Sequence, residues 1–363
     1  MIKKIKIAII GASGYTGAEL IRLLLQHPNA EIKKLVANSN ANQSIENIYP
    51  HLKNFNLPIL SSFEDINFSE IDLAFCCLPH STTQEIVNKI KFDKSGKSIN
   101  NHLKIIDLSA DFRIKNASEY QKWYNHEHIS LNLQETAIYG LSEINRDKIK
   151  KSSLIACPGC YPTSALLPLI PLLKNSIISP KNIIIDSKSG ATGAGRALKQ
   201  GSLFCEINDN MKAYSIGNHR HIAEIKQELE NANNLSINKT KEDENIDFEF
   251  TPHLLPVNRG IISTIYATIQ KNITIEDVNN CLETFYQDEY FVNLVNHEPS
   301  IKEVVGTNFC LISVKPALNP NKVIIVSVID NLCKGASGQA LQNMNIVFGL
   351  DERSGLNFSP LFP

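Results

Sequence analysis

Short, unbroken apolar runs alternate with amphipathic stretches through the first third of the chain. Lys6–Ile10 (KIAII) is a β-branched run that stops at Gly11, and Ala18–Leu25 then sets Leu20, Ile21, Leu24 and Leu25 on one helical face. Ile32–Ala37 is apolar again. Strand, turn, helix, strand is the βαβ unit of a parallel sheet. The pattern returns with Leu73–Leu78 as strand, Thr82–Ile90 as helix and Lys104–Leu108 as strand. Runs that are apolar throughout belong to strands covered on both faces. The first region is therefore expected to be an α/β, Rossmann-type, doubly wound parallel sheet.

After about Ser153 the texture changes. Ile183–Ser187, Phe248–Thr251, Ile261–Gln270, Phe309–Lys315 and Lys322–Ile329 read as strands, several alternating apolar with polar. That pattern predicts a mostly antiparallel sheet with one solvated face, in an α+β domain. Ala336–Phe348 has helical periodicity and is expected to pack back on the first domain. The predicted organisation is a cofactor domain at 1–155, joined by 332–363, and a catalytic and oligomerisation domain at 156–331. Two polar stretches, Lys91–His102 and Ala232–Asp247, read as surface excursions, and the KTKEDEN run in the second reads as a solvated loop. No internal repeat is visible.

Length agrees with two domains, at 363 residues. The net charge is −1, from 36 Lys+Arg and 37 Asp+Glu, which leaves no positive excess to hold a phosphate backbone and argues against a nucleic-acid partner. Hydrophobic residues at 43% and charged residues at 20% rule out wholesale disorder. Eight cysteines are too sparse for a disulfide scaffold. The opening MIKKIKIAIIGASG imitates a signal peptide, yet its apolar run is too short and no cleavage site follows. No run approaches the roughly 18 apolar residues of a membrane span. A soluble, cytoplasmic protein with no membrane partner is expected.

Chemistry concentrates in two places. The turn Gly11-Ala12-Ser13-Gly14-Tyr15-Thr16-Gly17 lies between the first strand and the first helix, where a dinucleotide pyrophosphate meets backbone N–H groups and a helix dipole. Its spacing is G-x-x-G-x-x-G rather than G-x-G-x-x-G, and a ligand-free βα turn is the alternative. At the end of the second strand stand Asn38 and Ser39 with no acid. A carboxylate there would repel a ribose 2′-phosphate, so NADP(H) is favoured over NAD. The second place is Ile155-Ala156-Cys157-Pro158-Gly159-Cys160-Tyr161-Pro162-Thr163. An apolar strand runs into a Pro-Gly turn, which puts Cys160 at or just before a helix N-terminus, where a thiol's pKa falls and an oxyanion can be held. Pro168 and Pro171 predict that this helix is short or bent. The C-x-x-C spacing also admits a thioredoxin-like dithiol, a zinc site with His219 and His221, or an inert buried pair. The other cysteines read as core, and no metal site is expected.

Eight ordered segments together resemble the N-acetyl-γ-glutamyl-phosphate reductases of the longer type. They are GASGYTGAEL, DLSADFR (Asp107–Arg113), YGLSE, PGCYPT, SGATGAGR (Ser189–Arg196), NHRHIAEI, TPHLLPVNRGI (Thr251–Ile261) and KGASGQALQNMN. The match spans nearly the whole chain; Cys157 lies outside the family pattern. The resemblance implies NADPH-dependent reduction of an acyl phosphate to the semialdehyde in arginine biosynthesis, by a cytoplasmic homo-oligomer, dimer or tetramer. It implies Cys160 as nucleophile and a proton-transfer group in His219-Arg220-His221, with His219 preferred and Glu224 as a carboxylate orienting an imidazole. Arg113, Arg196 and Arg259 are the implied substrate grips, and Arg220 falls in the same segments. Pro79 and His80 belong to a cofactor loop at the carboxyl end of a strand. Ser189, Gly190 and Asn331 complete the implied cofactor contacts, with Lys334 and Gly335 opening the terminal helix. The alternatives are aspartate-semialdehyde dehydrogenase, whose nucleophile would sit in an N-C-[ST]-T setting; a lysine-pathway aminoadipyl-phosphate reductase; and a catalytically dead NADP-binding protein.

Overall fold

A computed structural model describes residues 4–93, 95–237 and 245–362. They divide into two compact units, Met1–Pro158 with Ala336–Asn357, and Gly159–Gly335 with Phe358–Pro363. The chain thus changes unit three residues later than the expected 155/156 break, and the final residues go with unit 2 rather than unit 1. Most of the charged KTKEDEN run lies outside the described residues, as does Lys94 in the first polar excursion.

Unit 1 holds a seven-stranded parallel sheet built from β1 (Ile5–Ile10), β2 (Ala30–Val36), β3 (Leu60–Ser61), β4 (Leu73–Cys76), β5 (Lys104–Asp107), β6 (Ile138–Tyr139) and β7 (Leu154–Ala156). Its order is β3-β2-β1-β4-β5-β7-β6. The order reverses between β1 and β4, and the crevice outside the carboxyl ends of strands at such a reversal is where open α/β sheets bind ligands. The β4 side chains are all buried, as a strand covered on both faces requires. The Gly338–Val347 helix belongs to this unit and packs on the Tyr15–Leu24 and Ser142–Lys150 helices.

Unit 2 holds a mixed sheet of β8 (Ile183–Gly190), β9 (Lys212–Ala213), β10 (Phe248–Leu255), β11 (Ile261–Thr268), β12 (Val292–Leu294), β13 (Cys310–Pro316) and β14 (Lys322–Ile329). The order is β12-β13-β14-β11-β8-β10-β9, with only the β12/β13 and β8/β10 pairs parallel. Burial alternates along β11: Ile261, Ser263, Ile265 and Ala267 face inward, whereas Ile262, Thr264 and Tyr266 do not. The Cys160–Lys174 helix packs on β11 and β14 and on the His221–Asn234 and Ile275–Tyr286 helices.

That helix corrects the expectation of a short or bent element. It runs unbroken for 15 residues through Pro168 and Pro171. Residues Tyr161 to Leu173 are all buried, so packing rather than propensity holds it. Pro171 cannot donate to the Leu167 carbonyl, and the Tyr286 hydroxyl donates to that oxygen instead, at 2.5 Å.

Candidate active site

The Gly11–Gly17 turn leaves β1 at the crevice of unit 1. Gly11 has φ +90°, and a Cβ there would lie 2.3 Å from the Cys77 carbonyl oxygen; a Cβ on Gly17 would lie 2.6 Å from the Gly11 carbonyl. Glycine is required at both. The Gly11 and Ala12 N–H groups donate to the Val36 carbonyl at 2.9 and 3.0 Å, pinning the turn to the end of β2, and the Tyr49 hydroxyl donates to the Ser13 carbonyl at 2.9 Å. Gly14 is the N-cap of the Tyr15–Leu24 helix. The first-turn N–H groups of Tyr15, Thr16 and Gly17 have no intrahelical acceptor, and with the helix dipole they form an anion cradle. Beyond β2, Asn38 and Ser39 are exposed. Asn38 Oδ1 accepts the Phe63 N–H at 3.0 Å, which leaves its amide NH₂ as the side chain's donor. Beyond β4, Pro79 is exposed, and His80 Nδ1 accepts the Ala110 N–H at 3.0 Å. The residues of this crevice fit a dinucleotide bearing a 2′-phosphate.

The thiols of the C-x-x-C belong to different units. Cys157, 1% exposed in unit 1, has its sulfur facing Asn343 Nδ2 at 3.6 Å, and burial pushes its thiol up to about 12. Cys160 is half-buried and opens the Cys160–Lys174 helix, with Gly159 as N-cap at φ −67°, ψ 157°. The Gly159 N–H donates to Glu224 at 2.7 Å, and Glu224 is fully buried. Glu224, expected to orient an imidazole, thus accepts the N–H of the peptide ahead of Cys160. A Cβ on Gly159 would fall 2.4 Å from His221 Nε2, so the missing side chain is what admits that ring. Among the described residues no group of three or more His, Cys, Asp or Glu gathers as a metal site.

His219 lies in an aromatic nest. Its ring meets Tyr161, Tyr214, Phe250 and His221 edge-on, with centroids 4.8 to 5.7 Å away. Its Nδ1 accepts the His221 N–H at 3.1 Å, so the proton of the neutral ring belongs on Nε2. Burial, and then the charge of Arg220, lower its pKa to about 4, leaving it neutral at pH 7. The Tyr161 hydroxyl donates to the His253 carbonyl and the Tyr214 hydroxyl to Tyr161, each at 3.1 Å. Neither tyrosine was given a role from sequence: Tyr161 sits inside the PGCYPT motif but next to a more reactive residue, and Tyr214 lies outside every quoted motif.

The three arginines have different surroundings. Arg259 forms a forked pair with Asp330, Nε to Oδ2 at 2.9 Å and Nη2 to Oδ1 at 3.1 Å. Arg196 is exposed, as is Arg220. Arg113, expected as a substrate grip, is 4% exposed in unit 1; its Nε donates to the Cys157 carbonyl at 2.6 Å and its Nη2 to the Leu108 carbonyl at 2.9 Å. Those bonds tie the ends of β5 and β7 together and fix the direction of the guanidinium. Its neighbour Asp111 receives the N–H groups of Ser81, Thr83 and Gln84 and the Tyr120 hydroxyl.

Ser189, Gly190 and Asn331 lie in unit 2, apart in sequence and unit from the Gly11–Gly17 turn. Asn331 Oδ1 accepts the Gly260 N–H at 2.8 Å and its Nδ2 donates to Thr192 Oγ1 at 2.9 Å, while the Gly190 N–H donates to the Gly260 carbonyl at 2.9 Å. Lys334 and Gly335 fall in a Cys333–Ser337 π-helical turn ahead of the Gly338–Val347 helix. A Cβ on Gly335 would lie 2.8 Å from the Cys160 Cβ.

Residues 6–152 match the family described as semialdehyde dehydrogenase, NAD binding domain, and residues 160–331 the one described as semialdehyde dehydrogenase, dimerisation domain. The chain is 47% identical to the N-acetyl-gamma-glutamyl-phosphate reductase of Rhodospirillum rubrum over the full length of both. It is also 47% identical to a probable chloroplastic N-acetyl-gamma-glutamyl-phosphate reductase of Arabidopsis thaliana, over 99% of this chain and 86% of that protein. In fold it is similar to aspartate semialdehyde dehydrogenase II of Vibrio cholerae complexed with ASA, at TM-score 0.70 and 15% identity over 96% of this chain and 99% of that one. The aspartate semialdehyde dehydrogenase of Candida albicans with NADP gives TM-score 0.64 at 17% identity, over 95% and 99%. Among the described residues no helix is long and apolar enough to cross a membrane. With relatives this similar over all or most of their length, the chain belongs to the N-acetyl-γ-glutamyl-phosphate reductase family.

Proposed function

We propose that this protein reduces N-acetyl-γ-glutamyl phosphate to N-acetylglutamate 5-semialdehyde and phosphate, through a thioester on Cys160, as a cytoplasmic step of arginine biosynthesis. The observation that carries the reading is the contrast of two thiols: Cys160 half-buried at a helix N-terminus beside a histidine pair, Cys157 walled in with its pKa at about 12.

The Cys160 thiolate is stabilised by the helix N-terminus and attacks the acyl carbon. The C–S bond forms as the C–O bond to phosphate breaks, and phosphate leaves with the electron pair. The Gly11–Gly17 turn, with Asn38 and Ser39 at the 2′-phosphate, would hold NADPH, which when bound would supply the hydride that the thioester carbonyl carbon accepts. The negative oxygen of the thiohemiacetal would accept a hydrogen bond from the Nε2–H of His219, which its lowered pKa keeps as a neutral donor at pH 7; the proton stays on the ring. Collapse of that species breaks the C–S bond, frees the aldehyde and restores the thiolate. Arg259 and Arg196 grip the substrate's anionic groups. Asn331 supports the Arg259 loop.

Two copies pair through the half-open face of the unit 2 sheet, where Ile184 and Tyr266 are exposed and Ile262, Ile324 and Val326 are half-buried. An apolar sheet face of this kind favours burial against a second copy. The test of the activity runs the reaction backwards: N-acetylglutamate semialdehyde and aspartate semialdehyde are each oxidised with NADP and phosphate. The N-acetylated substrate should win in kcat/KM by at least about a hundredfold, the scale of a site built around a polar group its competitor lacks. Parity would overturn the assignment.

A further inference from the structure

Asp330 is fully buried in unit 2, and its carboxylate is surrounded by donors. Oδ2 accepts the Gly306 N–H at 2.7 Å and Arg259 Nε at 2.9 Å. Oδ1 accepts the Leu332 N–H at 2.8 Å, the Cys333 N–H at 3.1 Å and Arg259 Nη2 at 3.1 Å. The Asp330 carbonyl in turn accepts the Gly335 N–H at 2.9 Å, closing a turn that runs from residue 330 to residue 335. Gly335 then lies so near the nucleophile that a Cβ would sit 3.1 Å from the Cys160 Cα and 2.8 Å from its Cβ. One buried carboxylate therefore touches the arginine on one side and organises the floor under the thiol on the other.

We propose that Asp330 is a positioning residue that holds the Arg259 guanidinium and, through the turn ending at Gly335, the Cys160 end of its helix in one frame. The proposal rests on reading Cys160 as nucleophile and Arg259 as substrate grip. A planar fork engaged through Nε and Nη2 has its plane and direction set, which a single contact would not achieve. A mobile arginine would present the acyl phosphate at many distances from the sulfur, and the rate of attack depends steeply on that distance. Asn331 adds to the same clamp by holding the Gly260 N–H next to the arginine.

Asp330→Asn keeps the size, removes the charge and sets an amide NH₂ among donors. With the full-length protein, the expected result is a rise of about tenfold or more in KM for the acyl phosphate, a fall in kcat, a KM for NADPH within about twofold of the parent, and an altered rate of Cys160 alkylation by iodoacetamide. In the Arg259→Gln background the same change should add no further rise in KM, because the residue acts through the arginine. An equal rise in both backgrounds overturns the proposal, as do an unchanged KM and alkylation rate in Asp330→Asn. An unchanged KM in Arg259→Gln overturns the arginine half while leaving Cys160 as nucleophile, so the two failures are told apart. Should Asp330→Asn not fold, Arg259→Lys carries the test: lysine keeps the charge and loses the fork, so KM must rise as well, and parental KM refutes the idea.

Discussion

Two strand-to-helix turns carry the chemistry, and they are built on opposite principles. The Gly11–Gly17 turn removes side chains so that backbone can be reached: a Cβ added at Gly11 or Gly17 would lie 2.3 or 2.6 Å from a carbonyl oxygen, and the turn's donors are peptide N–H groups. The Cys157–Cys160 turn removes a side chain at Gly159 so that another side chain, His221, can come in, and its proposed working atom is a sulfur. On the proposed reading, the first turn binds by shape and dipole and the second reacts. Glycine serves both, once to expose the main chain and once to make room for an imidazole.

The comparison is broken or sharpened by substitution. Cys160→Ser should cost at least about 10³-fold in kcat, the scale of losing a covalent nucleophile, with NADP binding by fluorescence titration unchanged; Cys157→Ser should stay within about threefold of the parent. Comparable losses at both positions would mean the wrong sulfur was chosen. Next come the glycines. Gly17→Ala should raise KM for NADPH by about tenfold while leaving Cys160 alkylation alone, and Gly159→Ala should lower kcat by about tenfold with KM for NADPH intact. If either change affected both readouts equally, the division of labour between the turns would fail. Asn38→Asp sets a carboxylate at the 2′-phosphate position and should reduce the preference for NADPH over NADH by about tenfold in kcat/KM.

The smallest effect is one of stability. His219 has its folded pKa lowered to about 4 from 6.5 in the unfolded chain, so between those values the unfolded state binds more protons. Stability must fall as pH drops from 6.5 toward 4, and kcat/KM must fall as the folded ring finally protonates. Thermal melts of His219→Gln across that range should show a shallower decline than the parent; parallel curves would deny that the ring is buried neutral.

Much of this was readable before any coordinates. Continuous apolar runs such as Leu73–Cys76 have one good solution, a strand covered on both faces, and the glycine spacing marked the turn after β1. Cys160 stood out as the candidate nucleophile because Pro-Gly-Cys is a local signal. Pair-wise and long-range contacts were not. Asp330 is 71 residues from its arginine, and nothing near it in sequence distinguishes a carboxylate with five donors from a surface one. Arg113 shows the converse: a motif containing Asp, Ser, Asp and Arg looks like a binding site, and its sequence says nothing of the internal bonds its polar atoms also make, to Ser109, to the Ser81–Gln84 turn and to two strand-end carbonyls. The prolines of the Cys160–Lys174 helix misled because their remedy, a tyrosine on another helix, is invisible locally.

That tyrosine ties the helix to a much later part of the chain. The hydroxyl of residue 286 completes the bond that Pro171 cannot make, so the helix reaches its full set of partners only with the Ile275–Tyr286 helix docked, more than a hundred residues further along. One such bond contributes about 1 kcal/mol, which steadies the segment that begins at Cys160 without deciding whether it coils.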